Sequence, residues 1–146
     1  FFAITDTKIY EKGIDSGIAN FLDDYLEKKN KDLGQMPPDE LKQTIEVYTT
    51  RINMVIDYVE KNFPYGFRHK RSVFEAISVG VWKALDEKKA VGSLDKDKVK
   101  DCLDSQDFKQ YTHVANELHR KQKLKGRIMY IYNMITSEKV NNNAKH

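Results

Sequence analysis

Phe63-Pro-Tyr-Gly-Phe-Arg-His-Lys-Arg-Ser-Val-Phe-Glu-Ala-Ile-Ser-Val-Gly-Val-Trp82 holds a turn, a basic run and a helix start in one unbroken stretch. Pro64 disfavours helical geometry at Phe63, and Gly66 readily takes positive φ, so a preceding helix ends here. Ser72 and Glu75 have the spacing of a capping box, which predicts a new helix opening at Ser72. Val73, Phe74, Ile77, Val81, Trp82 and Leu85 then supply its buried stripe. Gly80 inside that helix costs about 1 kcal/mol relative to alanine, which predicts a neighbouring helix approaching closely there.

Upstream of this stretch the pattern is helical as well. Leu41, Ile45, Tyr48, Ile52, Val55 and Val59 alternate spacings of four and three residues, an apolar seam expected to face a neighbour along its whole length. Val47, Met54, Ile56 and Tyr58 widen the seam. Its helix should begin near Pro38, because proline is tolerated in a first turn and Asp39 and Glu40 suit the positive end of the dipole. An earlier helix is predicted from Asp15 to Lys29, with Ile14, Ile18, Phe21, Leu22, Tyr25 and Leu26 on its inner face. Gly34 and Pro37-Pro38 separate the two.

Downstream, short helices are predicted from Asp95 to Leu103 and from Gln106 to Thr112. Leu124, Ile128, Ile131 and Ile135, with Met129, Tyr132 and Met134, form a terminal amphipathic helix. No stretch alternates with period two and no hairpin signal occurs. The expected fold is all-α, a compact bundle of about five to six helices over residues 1–140, followed by a disordered polar tail over residues 141–146.

Composition narrows the setting. Of 146 residues, 40% are hydrophobic and 32% charged, which suits one helical domain with charged outer faces. The net charge of +3, from 25 basic and 22 acidic residues, is too small to argue for a nucleic-acid partner by itself. A single cysteine, Cys102, forms no internal disulfide and is expected to be a small packing residue in a reducing, cytoplasmic setting. No run approaches the roughly 18 to 20 apolar residues of a membrane span, and no signal peptide is recognisable. The apolar start Phe1-Phe2-Ala3-Ile4 reads as an internal segment of a longer chain.

Chemistry-bearing motifs are sparse. His69, His113, His119 and His146 sit in separate segments without metal-ligand spacing. Phosphate loops and nucleophile elbows are absent. No catalytic residue, metal or cofactor is therefore expected here. Two basic clusters stand out: Arg68-His69-Lys70-Arg71 before a helix N-terminus, and Arg120, Lys121, Lys123, Lys125 and Arg127 without an intervening acid. The candidate nucleic-acid or anion contacts are thus Arg68, Lys70, Arg71, Arg120, Lys121, Lys123, Lys125 and Arg127. The competing readings are a solvated charged surface, with Arg127 turned inward to a carboxylate such as Glu75, and a protein contact. Tyr65, Phe67, Tyr111, Tyr130 and Tyr132 either stack on bases or belong to the core.

The wording of several segments resembles one family. Phe63-Pro-Tyr-Gly-Phe67 and Arg71-Ser-Val-Phe-Glu-Ala-Ile-Ser-Val-Gly80 are similar to the Arg-x-Arg-Phe-Glu-Ala-Ile-x-Val-Gly signature of the domain-of-unknown-function 262 (GmrSD-like) restriction family. Leu103-Asp-Ser-Gln-Asp-Phe108 and Lys123-Leu-Lys-Gly-Arg-Ile128 resemble its closing pattern, Phe1-Phe2-Ala3 the end of its Arg-Phe-Phe-Ala helix, and Phe21-Leu-Asp-Asp-Tyr25 its Phe-Leu-Asn-Glu-Tyr segment. Val73 stands where the signature has its second arginine, so that residue's anion contact does not carry over. Arg71 and Arg127 are the matching positions.

The resemblance implies a C-terminal helical accessory domain of a bacterial defence protein. It would support an upstream ParB-like, nucleotide-dependent domain of the same chain and contact DNA. Cleavage would belong to the parent protein, not to this segment. The alternative expectation is a structural or homo-oligomerising helical module without a nucleic-acid role.

Overall fold

A computed structural model describes residues 1–66, 68–89, 93–113 and 120–142, with side chains through Ser137 in the last segment. Phe67, His119, His146 and the tail residues 143–146 lie outside the described residues. The fold is all-α. Among the described residues it comprises α1 (Phe2–Thr7), a 3-10 turn (Ile9–Glu11), α2 (Ile18–Gly34), α3 (Pro38–Asn62), α4 (Arg71–Asp86), α5 (Lys96–Asp104), α6 (Gln106–Thr112) and α7 (Lys121–Asn142), with no strand. Seven α-helices stand where five to six were expected; α1 is too short to show a period in sequence.

The core forms around the pair α4 and α7. Ala76, Ile77, Val81 and Ala84 of α4 pack with Ile131 and Ile135 of α7, and Val55, Val59 and Phe63 close the cluster from α3 and its end. A second cluster joins Val79 to Leu124, Ile128, Ile4, Tyr10 and Ile14. The predicted close approach at Gly80 is present. A Cβ there would lie 2.8 Å from Ile131 Cβ and 2.9 Å from the Ile128 carbonyl oxygen. α4 and α7 run side by side in the same direction, since Glu75 meets Arg127 near both helix starts and Glu87 meets Tyr132 further along.

Local signals set several ends correctly. Phe63 is extended at φ −104° and ψ 134°, ending α3, and Gly66 takes φ 53° in the turn that follows. Asp95 caps α5 by accepting from the amides of Asp97 and Lys98, and Ser105 caps α6 through the amide of Phe108. Asn62, fully buried, accepts from the Leu94 amide at 2.7 Å and so ties the chain after α4 to the end of α3.

Three expectations are corrected. The capping box at Ser72 and Glu75 does not form: α4 opens at Arg71, with Lys70 as its N-cap and no side-chain cap bond. Ser72 Oγ instead donates to the Thr112 carbonyl at 3.2 Å, while Glu75 pairs with Arg71 and Arg127. A buried guanidinium needs a counter-charge more than an exposed amide needs a cap.

The α3 seam is buried only in its C-terminal half, at Val55, Tyr58 and Val59; Ile45 and Val47 remain 55% and 64% exposed. The early helix begins at Ile18 rather than Asp15, runs to Gly34 and buries no residue. Periodicity reports that a face is apolar, not that a neighbour covers it.

Beyond Ile18 and Phe21, which pack against the second cluster, what holds α2 in place is polar. Asp6 accepts from Arg51 Nη1 at 2.6 Å, Tyr48 Oη at 2.6 Å and Tyr25 Oη at 2.8 Å, with Lys29 Nζ at 3.2 Å. One carboxylate on α1 thereby clamps α2 to α3. The Arg51 guanidinium also lies 4.5 Å from the Trp82 ring centre, a cation–π contact that ties the clamp to α4. Burial pushes the Asp6 carboxyl up, but its four donors outweigh that and hold it below its ordinary 3.8.

Candidate functional site

The two basic clusters meet where α4 and α7 begin. Glu75 Oε1 accepts from Arg71 Nε at 3.1 Å, and Glu75 Oε2 accepts from Arg127 Nη2 at 2.7 Å, so one carboxylate joins a residue of each cluster. Arg127 is 1% exposed. The inward reading of this residue is the one realised, and Arg127 leaves the set of surface contacts. Desolvation works to lower its pKa and Glu75 opposes this; an arginine in such a pair stays charged. Arg71 keeps its side chain 67% exposed while touching Glu75.

The remaining candidates stay at the surface. Arg68, Lys70, Arg120, Lys121 and Lys125 are exposed, and Lys123 is half-buried. Lys123 Nζ donates to the Gln110 carbonyl oxygen and lies 6.0 Å from the Tyr111 ring centre. Ser72 holds Thr112 from the α4 side. The C-terminal end of α6 is therefore flanked by the first cluster on one side and by Lys123 of the second on the other. This convergence needs the fold: the two clusters are some fifty residues apart in the chain.

On the first cluster's side lies a cavity of about 280 Å³. Arg68, His69 and Lys70 line it from the turn before α4, Lys100 from α5, and Lys109 and His113 from α6 and its end. Among the described residues, Asp104 is the one carboxylate in the lining. Burial pulls the His69 pKa below its ordinary 6.5, which leaves the ring neutral at pH 7. Sequence reasoning missed Lys100, Lys109 and the placing of His69 and His113 in one cavity lining. Nothing in their spacing marks them, because three separate helices and turns bring them together.

The aromatic candidates divide by burial. Tyr132 is 9% exposed, and its hydroxyl donates to Glu87 Oε2 at 2.6 Å. Tyr130 is half-buried with its hydroxyl 2.9 Å from Ser105 Oγ. Tyr111 packs on Gly126. These three serve the interior, whereas Tyr65 is 52% exposed at the cavity beside His69, their ring centres 6.0 Å apart.

Elsewhere the surface offers less chemistry. Between α2 and α3 runs an apolar groove of about 360 Å³, bounded by Leu26, Leu33, Ile45 and Ile52. Cys102 is half-buried beside Tyr130 and Met134. Among the described residues no group of three or more His, Cys, Asp or Glu side chains is placed to hold a metal ion, and no helix is long and apolar enough to cross a membrane. No family model, curated protein or solved structure matches the chain.

Proposed function

We propose that this chain is a helical accessory domain of a GmrSD-like bacterial DNA-restriction protein, contacting the DNA backbone and supporting an upstream nucleotide-dependent domain. The observation that carries the DNA part is that Arg71 and Arg127, one from each basic cluster, share Glu75, while Lys123 reaches the end of α6. Arg68, Lys70, Arg71, Arg120, Lys121, Lys123 and Lys125 are the contacts, with Arg127 holding the cluster ends together through Glu75. Such cations bind phosphates without reading sequence. The setting is cytoplasmic, which the single cysteine supports.

The test is fluorescence anisotropy of duplex DNA with the whole protein at two salt concentrations. Binding at low salt should fall with salt by a log–log slope of about −0.9 per neutralised phosphate. Charge reversal by Lys121→Glu together with Lys125→Glu should weaken it and flatten that slope. Absence of binding at low salt overturns the reading.

A second reading rests on a separate observation. Leu26, Ile45, Val47 and Met54 expose 44% to 64% of their surfaces on α2 and α3. Leu26 and Ile45, at the α2–α3 groove, support a homo-oligomerising module instead, with α3 seams packing between copies, while Val47 and Met54 lie on another side of α3. Analytical sedimentation separates the two: a clean monomer counts against self-association.

A further inference from the structure

The cavity beside α4 carries more cations than a structural role requires. Arg68, Lys70, Lys100 and Lys109 form no ion pair with any described residue, although all four line one concavity of about 280 Å³. Asp104 in the same lining offsets one of these charges, and the remaining excess of like charge is unfavourable in the absence of an anion. The nearby backbone is arranged to the same effect. The first turn of α4 adds the positive end of its dipole and lacks any side-chain cap. The Thr112 carbonyl, which would repel an anion, is already engaged by Ser72 Oγ.

His69 supplies an independent observation. Its Nε2 is shielded from solvent and has no hydrogen-bond partner among the described residues, while the ring lines the cavity. A shielded, unpaired ring nitrogen costs free energy unless something completes it. We infer that this cavity is a binding site for a single phosphate group, held by Arg68, Lys70, Lys100 and Lys109 with His69 and His113 beside it. Tyr65, exposed at the same cavity, offers a ring face to whatever carries the phosphate. The phosphate comes either from a free phosphate ester or from a nucleic-acid strand. The site stands without the DNA contact proposed above, because Lys100, Lys109 and His113 belong to neither basic cluster.

The experiment is a heteronuclear NMR titration of the whole chain with inorganic phosphate at constant ionic strength. Saturable shifts are expected at His69, His113 and Lys109, with the apolar α2–α3 groove unmoved. In Lys100→Gln with Lys109→Gln, phosphate affinity should fall by about a hundredfold, the scale of two lost charged hydrogen bonds. Unsaturable shifts spread over all surface lysines, or an affinity unchanged in the double variant, overturn the site. A duplex without terminal phosphates then separates the sources. Competition with bound phosphate assigns the group to the DNA backbone, and its absence assigns a free ester. Duplex binding that persists when the phosphate site fails leaves the DNA reading intact, and the converse leaves the phosphate site intact.

Discussion

Arg127 Nη2 donates to Glu75 Oε2 at 2.7 Å, with the arginine side chain 2% and the glutamate side chain 11% exposed. This pair crosses from α7 to α4 in the interior of the bundle. Its position explains why the helix start at Ser72 forgoes its capping box.

Removing the charge of Glu75 should therefore be costly. Glu75→Gln leaves Arg127 buried without its counter-charge, for an expected loss of about 3 to 5 kcal/mol in urea unfolding. Replacing both residues by methionine should recover most of that loss. A loss below about 1 kcal/mol, the scale of a solvated pair, would contradict the burial of the pair.

Gly80→Ala tests the helix contact. A Cβ at this position meets a β-branched side chain and a backbone carbonyl inside 3 Å, neither of which moves cheaply. The expected cost is about 1 to 3 kcal/mol by overpacking, even though alanine favours a helix by about 1 kcal/mol. Gly34→Ala serves as the comparison, because nothing lies within 4 Å of its Cβ. That variant should be neutral or more stable. Thermal unfolding of the two variants reads the difference.

Asp6→Ala should loosen α2 selectively. It removes the acceptor shared by Tyr25, Lys29, Tyr48 and Arg51, while α2 itself buries no residue. Hydrogen exchange should show protection lost over Ile18–Gly34 and kept in α4 and α7. Equal loss everywhere would mean that the clamp supports the core instead.

Acid should act through Glu87. Hydrogen bonds from Lys83, Tyr132 and Lys89 lower its pKa from 4.5 to about 2. A carboxyl depressed on folding contributes stability that is fully present above 4.5 and lost as pH falls toward 2. Water screens this exposed group, so the effect is a gentle slope. In Glu87→Gln the unfolding midpoint should change less with pH across that window than in the parent. An identical pH profile would remove Glu87 from the acid response.

Much of the fold was legible in the chain. The proline and glycine at 64 and 66 ended α3, short helices stood close to where they were expected from Asp95 to Leu103 and from Gln106 to Thr112, and Gly80 announced a close neighbour. These are short-range effects of backbone sterics and hydrogen bonding, and sequence carries them directly. The capping box failed because a long-range partner outcompeted a local one for Glu75. Half of the α3 seam and the far end of the α2 face, at Leu26, were misjudged because amphipathicity does not name the surface that covers it; Ile14, Ile18 and Phe21 do meet the core as expected.

The sequence by itself determined an all-α chain, most helix ends, and two clusters of cations. Only the tertiary structure decided what those cations do. It buried Arg127 on Glu75, kept Arg68 and Lys70 at the surface, and gathered Lys100, Lys109, His69 and His113 around one cavity. The physical reason is distance. Helix propensity and capping act within a few residues, whereas charge pairing and cavity lining join side chains that only packing brings together.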